Sequence, residues 1–240
     1  MIPSSVTTVL FDAGDTLIAY RRPLRILLQD FFIQHNEILR RDAIAEALDA
    51  LSLRYRTLVE QTHTVEEERR MWIEVARDLL DILLPRRRDL YPQLAVWFSE
   101  GWKLMKVFRD VRPTLRWLRA VGYRLAVVSN WEPSLALSLD RLGLARFFEA
   151  IVISAAEGIW KPDPRLFEVA LKRLQVAPDK AVSVGDHIER DVDAARHAGS
   201  HGVLLDRFDD HPEYVPRVRT LTELLTWLPG VSPASVPPSA

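Results

Sequence analysis

Val6-Thr7-Thr8-Val9-Leu10-Phe11-Asp12-Ala13-Gly14-Asp15-Thr16-Leu17 is an apolar run that stops abruptly at two carboxylates. Its first half, rich in Val, Leu and Phe, reads as a buried β-strand. In an open α/β sheet, ligands bind just beyond the carboxyl ends of the strands. An aspartate placed there can act as a nucleophile or a metal ligand. Asp and Gly are also common turn residues, and this stretch alone leaves both readings open. The remainder of the chain separates them.

At 240 residues, 48% hydrophobic and 27% charged, the chain can bury a core as one domain with a large insertion or as two small domains. A formal net charge of −1 gives no reason to expect a nucleic acid or an acidic membrane as partner. The absence of cysteine excludes disulfides, thiolate catalysis and Cys-ligated metal. No apolar run approaches membrane-spanning length, and Met1-Ile2-Pro3-Ser4-Ser5 lacks the features of a signal peptide. A cytoplasmic protein is the expectation. Nothing in the sequence sets the oligomeric state. Arginine outnumbers lysine, and no lysine precedes Lys103.

Residues 18–108 show helical spacing and no convincing strand. Leu24, Leu27, Leu28, Phe31 and Phe32 make one apolar face, and Ile44, Leu48, Leu51 and Tyr55 another. Thr64, followed by Glu66, Glu67 and Glu68, opens a third helix that carries Met71, Trp72, Val75, Leu79 and Leu80 inward and closes at Pro85. Leu94, Trp97, Phe98 and Trp102 suggest a fourth. The Met and Trp residues of this region read as helical core rather than as a cofactor box. From Val111, helices alternate with strands at Tyr123–Val128, Ala150–Ile153, Ala181–Gly185 and Gly202–Leu205. That rhythm predicts an α/β fold with a doubly wound, mostly parallel sheet covered on both faces. Residues 1–17 and 109–230 would form this core, 18–108 an all-helical inserted lid, and 231–240, rich in Pro and Ser, a disordered tail.

The predicted strand ends bring polar groups to one sheet edge: Asp12 with Asp15 and Thr16, Ser129 with Asn130, and Asp186 with Asp191. Lys161-Pro162 lies in a loop before a helix at the same edge. This ordered set resembles the haloacid dehalogenase (HAD) superfamily of hydrolases. Asp12-Ala13-Gly14-Asp15-Thr16 looks like its first motif, Ser129 its second, Lys161-Pro162 its third, and Gly185-Asp186-His187-Ile188-Glu189-Arg190-Asp191 its fourth. The helical region sits where one large branch inserts a cap.

The resemblance implies a Rossmann-like core and a Mg²⁺-dependent phosphatase acting on a small phosphorylated metabolite. Asp12 would attack phosphorus and form an aspartyl-phosphate. Asp12, the Gly14 carbonyl and Asp186 would hold the cation, with Asp191 as a further ligand or as the partner of Lys161. Ser129, Asn130, Lys161 and Thr16 would serve the phosphate and its loop, with Lys161 neutralising nucleophile and phosphate together. His187, next to Asp186, falls outside the matched pattern and reads as a helix-start or packing residue rather than a catalytic one. One departure matters: phosphatases of the family usually carry an acid–base aspartate two residues after the nucleophile, where Gly14 stands. The expectation is a slow phosphatase that favours acidic leaving groups such as aryl or acyl phosphates, unless Asp15, one place later, has taken over the role. Dehalogenation, Schiff-base phosphonate hydrolysis and a non-catalytic phosphate- or metal-binding regulator are the alternatives. Asp186 with Asp191 argues against the first, and the lack of lysine before Lys103 against the second.

Overall fold

The computed structural model describes residues 2–228; the tail expected at 231–240 lies outside them. In chain order come β1 (Thr8–Phe11), β2 (Ile18–Tyr20), α1 (Leu24–Gln34), α2 (Arg41–Glu60), α3 (Val65–Leu83), α4 (Tyr91–Ser99) and β3 (Met105–Val107). They are followed by α5 (Val111–Ala120), β4 (Arg124–Ser129), α6 (Leu135–Arg141), β5 (Ala150–Ile153), α7 (Ser154–Glu157) and α8 (Arg165–Leu174). The chain then forms β6 (Ala181–Gly185), α9 (Ala194–His197), β7 (His201–Leu205), β8 (Arg217–Val218) and α10 (Leu221–Leu225).

Six strands make one sheet in the order β5-β4-β1-β6-β7-β8, and every neighbouring pair is parallel. Because side chains alternate along a strand, Leu10 faces one side of the sheet, and Val9 and Phe11 face the other. All three are fully buried, so both sides are covered. On Leu10's side, Leu166, Phe167, Ala170 and Leu171 of α8 pack with Ala126, Val128 and Val152 of the strands. Burial of a side chain of this size stabilises by about 1.5–3 kcal/mol. The strand with Asp12 at its end is therefore held from two sides and two faces. β1 sits where the connections diverge, with β4 on one flank and β6 on the other, which places the ligand crevice beyond its carboxyl end.

Contacts divide the chain into two units, one built on the sheet and one helical, the latter comprising Tyr20–Lys106 and Glu132–Ser134. In the helical unit, Leu28, Phe31, Phe32, Ile44, Leu79, Leu80 and Leu94 form the core. Thr64 begins α3 with a capping box: its hydroxyl accepts from the Glu67 amide at 3.2 Å, and Glu67 accepts from the Thr64 amide at 3.0 Å. Trp72 lies between Tyr55 and Phe98, with ring centroids at 5.8 and 5.0 Å, as core rather than as a cofactor site. Glu68 does more than favour the helix dipole. It accepts from the Ser134 amide at 2.7 Å, the Ser134 hydroxyl at 2.6 Å and the Trp72 indole at 3.1 Å. Tyr55 donates to Glu132, and burial pushes both groups above their ordinary ranges.

Several expectations need correction. Residues 18–108 do contain strands: Ile18–Tyr20 pairs with Met105–Val107 as a two-stranded ribbon where the chain passes from one unit to the other. Trp102 falls outside α4, in a separate turn over Gly101–Leu104. The helix after Asp186 begins as a π-helical turn, Ile188–Asp193, before α9. Among the described residues, no helix is long and apolar enough to cross a membrane.

Candidate active site

Asp12, Ser129 and Asp186 sit at or just past the carboxyl ends of β1, β4 and β6. The Asp12 amide still donates to the Val184 carbonyl at 3.0 Å, which extends β1 onto β6 by one residue and aims the carboxylate off the sheet edge. Together with Gly14, Asp15, Asn130, Trp131, Lys161, Arg190 and Asp191, these residues line a cleft of about 130 Å³.

Lys161 is the centre of the arrangement. Its buried ammonium donates to Asp12 Oδ1 at 2.6 Å, to the Val128 carbonyl at 3.0 Å and to Asp191 Oδ1. All three of its protons are engaged. Burial works to lower its pKa, but the adjacent Asp12 and Asp191 charges and their hydrogen bonds together outweigh burial and raise it. The lysine thus stays charged. Asn130 fixes its backbone: the Asn130 amide donates to the Lys161 carbonyl at 2.9 Å, and its oxygen accepts from the Lys161 amide at 2.8 Å. Asn130, expected to bind substrate, has both ends of its side chain occupied in positioning Lys161.

Asp12 Oδ1 also accepts from the Ser129 hydroxyl at 3.0 Å, while Oδ2 accepts no hydrogen bond among the described residues. Burial raises the Asp12 pKa, opposed by Lys161 and reinforced by Asp191. Asp191 is fully engaged, with Oδ1 on Lys161 and Oδ2 accepting from the His187 amide at 2.9 Å. Gly185 is required beside it, because a Cβ there would overlap the Asp191 carboxyl group. His187 caps the π-turn: its Nδ1 accepts from the Arg190 amide at 3.4 Å, the helix-start role expected of it.

Asp186 differs from the other two. It has no ion pair among the described residues, and its pKa is pushed up to about 7 by burial first and then by the charges of Asp12, Asp191 and Asp15. One oxygen from each of Asp12, Asp186 and Asp191 lies within 4.8 Å of the others. Hard oxygen donors gathered this closely, one of them unpaired, suit a small divalent cation. The Gly14 carbonyl accepts from the Thr16 amide at 2.6 Å and keeps a second lone pair.

Thr16 is misplaced by the sequence reading. It is fully buried, does not line the cleft, and its hydroxyl has no hydrogen-bond partner among the described residues. Its carbonyl accepts from Arg207 Nη2 at 2.7 Å, and Arg207 pairs with Asp110 through both terminal nitrogens at 2.9 and 3.1 Å. The same guanidinium lies 4.1 Å from the centre of the Phe108 ring. Arg207 therefore anchors the loop after β1, a role with no local sequence signal. Asp15 lies in the cleft lining but is exposed, at φ 48°, with no side-chain hydrogen bond among the described residues. Arg190, within the fourth motif but not singled out in it, lines the cleft with no ion-pair partner among the described residues.

Comparison with known proteins accords with this geometry. Residues 6–199 match the haloacid dehalogenase-like hydrolase family. The chain is 30% identical to the glyceraldehyde 3-phosphate phosphatase of Methanopyrus kandleri, over 92% of this chain and 97% of that one. It is 36% identical to the phosphoserine phosphatase of Thermus thermophilus over 61% of this chain and 54% of that one. A HAD phosphatase structure from Thermococcus onnurineus shares the fold at TM-score 0.60 and 23% identity, covering 92% of this chain and 97% of its own. A 2-haloacid dehalogenase structure from Pseudomonas syringae superposes at TM-score 0.63 and 25% identity, covering 91% and 96%. The chain belongs to the haloacid dehalogenase-like hydrolases.

Proposed function

We propose that this hydrolase is a Mg²⁺-dependent phosphomonoesterase that works through an aspartyl-phosphate on a small phosphorylated metabolite. The observation that carries the reading is the charge of the cleft. Four carboxylates, Asp12, Asp15, Asp186 and Asp191, face two side-chain cations, Lys161 and Arg190. A phosphate dianion added to that set would be repelled unless a further cation accompanied it. Asp12, Asp186 and the Gly14 carbonyl would hold the cation, with Asp191 at hand. When bound, it supplies countercharge to the transferring phosphoryl oxygens.

The chain's own residues do the rest. Lys161 and Ser129 hold Asp12 Oδ1, which leaves Oδ2 to attack phosphorus in line with the departing oxygen. Lys161 also holds Asp191 in place, and Arg190 offers a free guanidinium to the incoming anion. The phosphatase names of the two curated relatives support phosphate as the group transferred. A dehalogenase would have no use for a carboxylate cluster that calls for a cation.

A screen of phosphorylated metabolites with and without Mg²⁺ tests this, read as released phosphate: chelation should abolish turnover and added Mg²⁺ restore it. Ligand-induced stabilisation with no phosphate released would identify a binding protein instead. The cation should also show in stability. Because the folded-state pKa of Asp186 is raised from 3.8 to about 7, its contribution to the metal-free protein is fully present below about pH 4 and lost as pH rises through 7. Mg²⁺ needs the carboxylate form and should therefore raise the melting temperature at pH 8 but hardly at pH 5. An equal shift at both would contradict the site.

A further inference from the structure

Gly14 and Trp131 share one place in the cleft. A Cβ on Gly14 would lie 3.1 Å from the Trp131 ring, so the indole covers the face from which a residue-14 side chain would reach the cleft. The ring is set there by its backbone: the Trp131 amide donates to the buried Ser154 hydroxyl at 3.0 Å, and its carbonyl accepts from the Ala155 amide at 3.4 Å. Among the described residues, no histidine, tyrosine or cysteine lines the cleft. Of its carboxyl groups, Asp12, Asp186 and Asp191 belong to the nucleophile and the cation cluster, and Asp15 is exposed and bonded to none of them. An oxygen departing on the Gly14 side of the cleft would meet this aromatic face and not a residue-14 acid.

Resting on the phosphatase reading, we infer that Trp131 is a specificity-determining residue that selects phosphate esters of planar aromatic alcohols, whose oxygen departs unprotonated. In that reaction the Asp12 oxygen bonds to phosphorus as the P–O(aryl) bond breaks. The electron pair leaves on the aryloxide, which takes its proton from solvent. Water then adds to phosphorus, the P–O(Asp12) bond breaks, and inorganic phosphate leaves. General-acid help is worth about 10²–10⁴ in rate, and a leaving group that is already a weak base does without it. Stacking on the indole adds affinity for an aromatic ring, about three- to tenfold.

The test compares kcat/KM for substituted phenyl phosphates and for alkyl phosphates of similar size. The wild type should favour phenyl esters by about 10²-fold or more, with rates rising steeply as the phenol becomes more acidic. Trp131→Ala should raise KM for phenyl esters more than for alkyl ones. Gly14→Asp combined with Trp131→Gly should flatten the dependence by accelerating alkyl esters. Binding offers a readout independent of turnover: phenylphosphonate should bind the wild type about three- to tenfold tighter than methylphosphonate. Equal rates for alkyl and phenyl esters, equal phosphonate affinities, or a loss of alkyl-ester turnover in Asp15→Asn that marks Asp15 as the acid would overturn the inference and leave the phosphatase standing. Failure to release phosphate from any ester would instead remove the reading beneath it.

Discussion

Asp12→Asn should lower Mg²⁺-dependent phosphate release by about 10⁴-fold or more, the scale on which removal of a covalent nucleophile is felt. The substitution is close to isosteric, and the amide oxygen can still accept from Ser129 and Lys161. The fold should therefore persist while the anionic Oδ2 proposed to attack phosphorus is gone. Steady-state phosphate release alongside a thermal melt separates the two effects. A variant that melts near the wild type yet keeps more than a tenth of its activity would show that Asp12 is only a ligand or a hydrogen-bond partner.

Lys161→Met should damage both stability and turnover. The methionine side chain is nearly as long and apolar, so it fills the space, but it leaves Asp12 and Asp191 as two buried carboxylates facing each other without the ammonium between them. Breaking one partner out of a buried ion pair typically costs about 3–5 kcal/mol. The sign of its pH dependence follows. Burial already raises Asp12, and the loss of the opposing Lys161 charge raises it further. A raised folded-state pKa favours the fold below the unfolded value, and that contribution is lost as pH rises through the folded pKa. Relative to wild type, Lys161→Met should be least destabilised near pH 4 and most destabilised at pH 8. A destabilisation that is flat from pH 4 to 8, measured by denaturant titration, would mean that the ammonium is not holding the Asp12 carboxylate charged.

The core was readable because its strands are long apolar runs that end in aspartate or serine, a pattern written locally at Val9–Asp12, Leu125–Ser129 and Val182–Asp186. The opening of α3 at Thr64 was readable for the same reason, since its cap and acidic first turn lie within five residues. The ribbon of Ile18–Tyr20 and Met105–Val107 was not: three-residue strands exist only because the chain returns beside them. Glu68 and Ser134 are 66 positions apart, and Arg207 lies 191 positions from Thr16, so nothing nearby announces either contact.

At the cleft, residue types were legible but their partners were not. Asn130 lines the cleft and Thr16 stands next to residues that do, yet one turns its amide to the Lys161 backbone and the other is buried in the loop. Lys161 was expected to meet nucleophile and phosphate together, whereas its three protons are already engaged by protein acceptors. The glycine at position 14 was visible as a departure, but its physical counterpart, the Trp131 ring, comes from a different strand end.

A covalent bond between Asp12 and phosphorus can be trapped by quenching turnover in acid. Wild-type protein mixed with a turned-over phosphate ester and Mg²⁺, quenched in acid and digested, should carry one phosphoryl group, sensitive to hydroxylamine, on the peptide containing Asp12. Chelator or Asp12→Asn should remove the label. Phosphate released at the full rate with no label on that peptide, or with the label on another residue, would rule out Asp12 as the nucleophile.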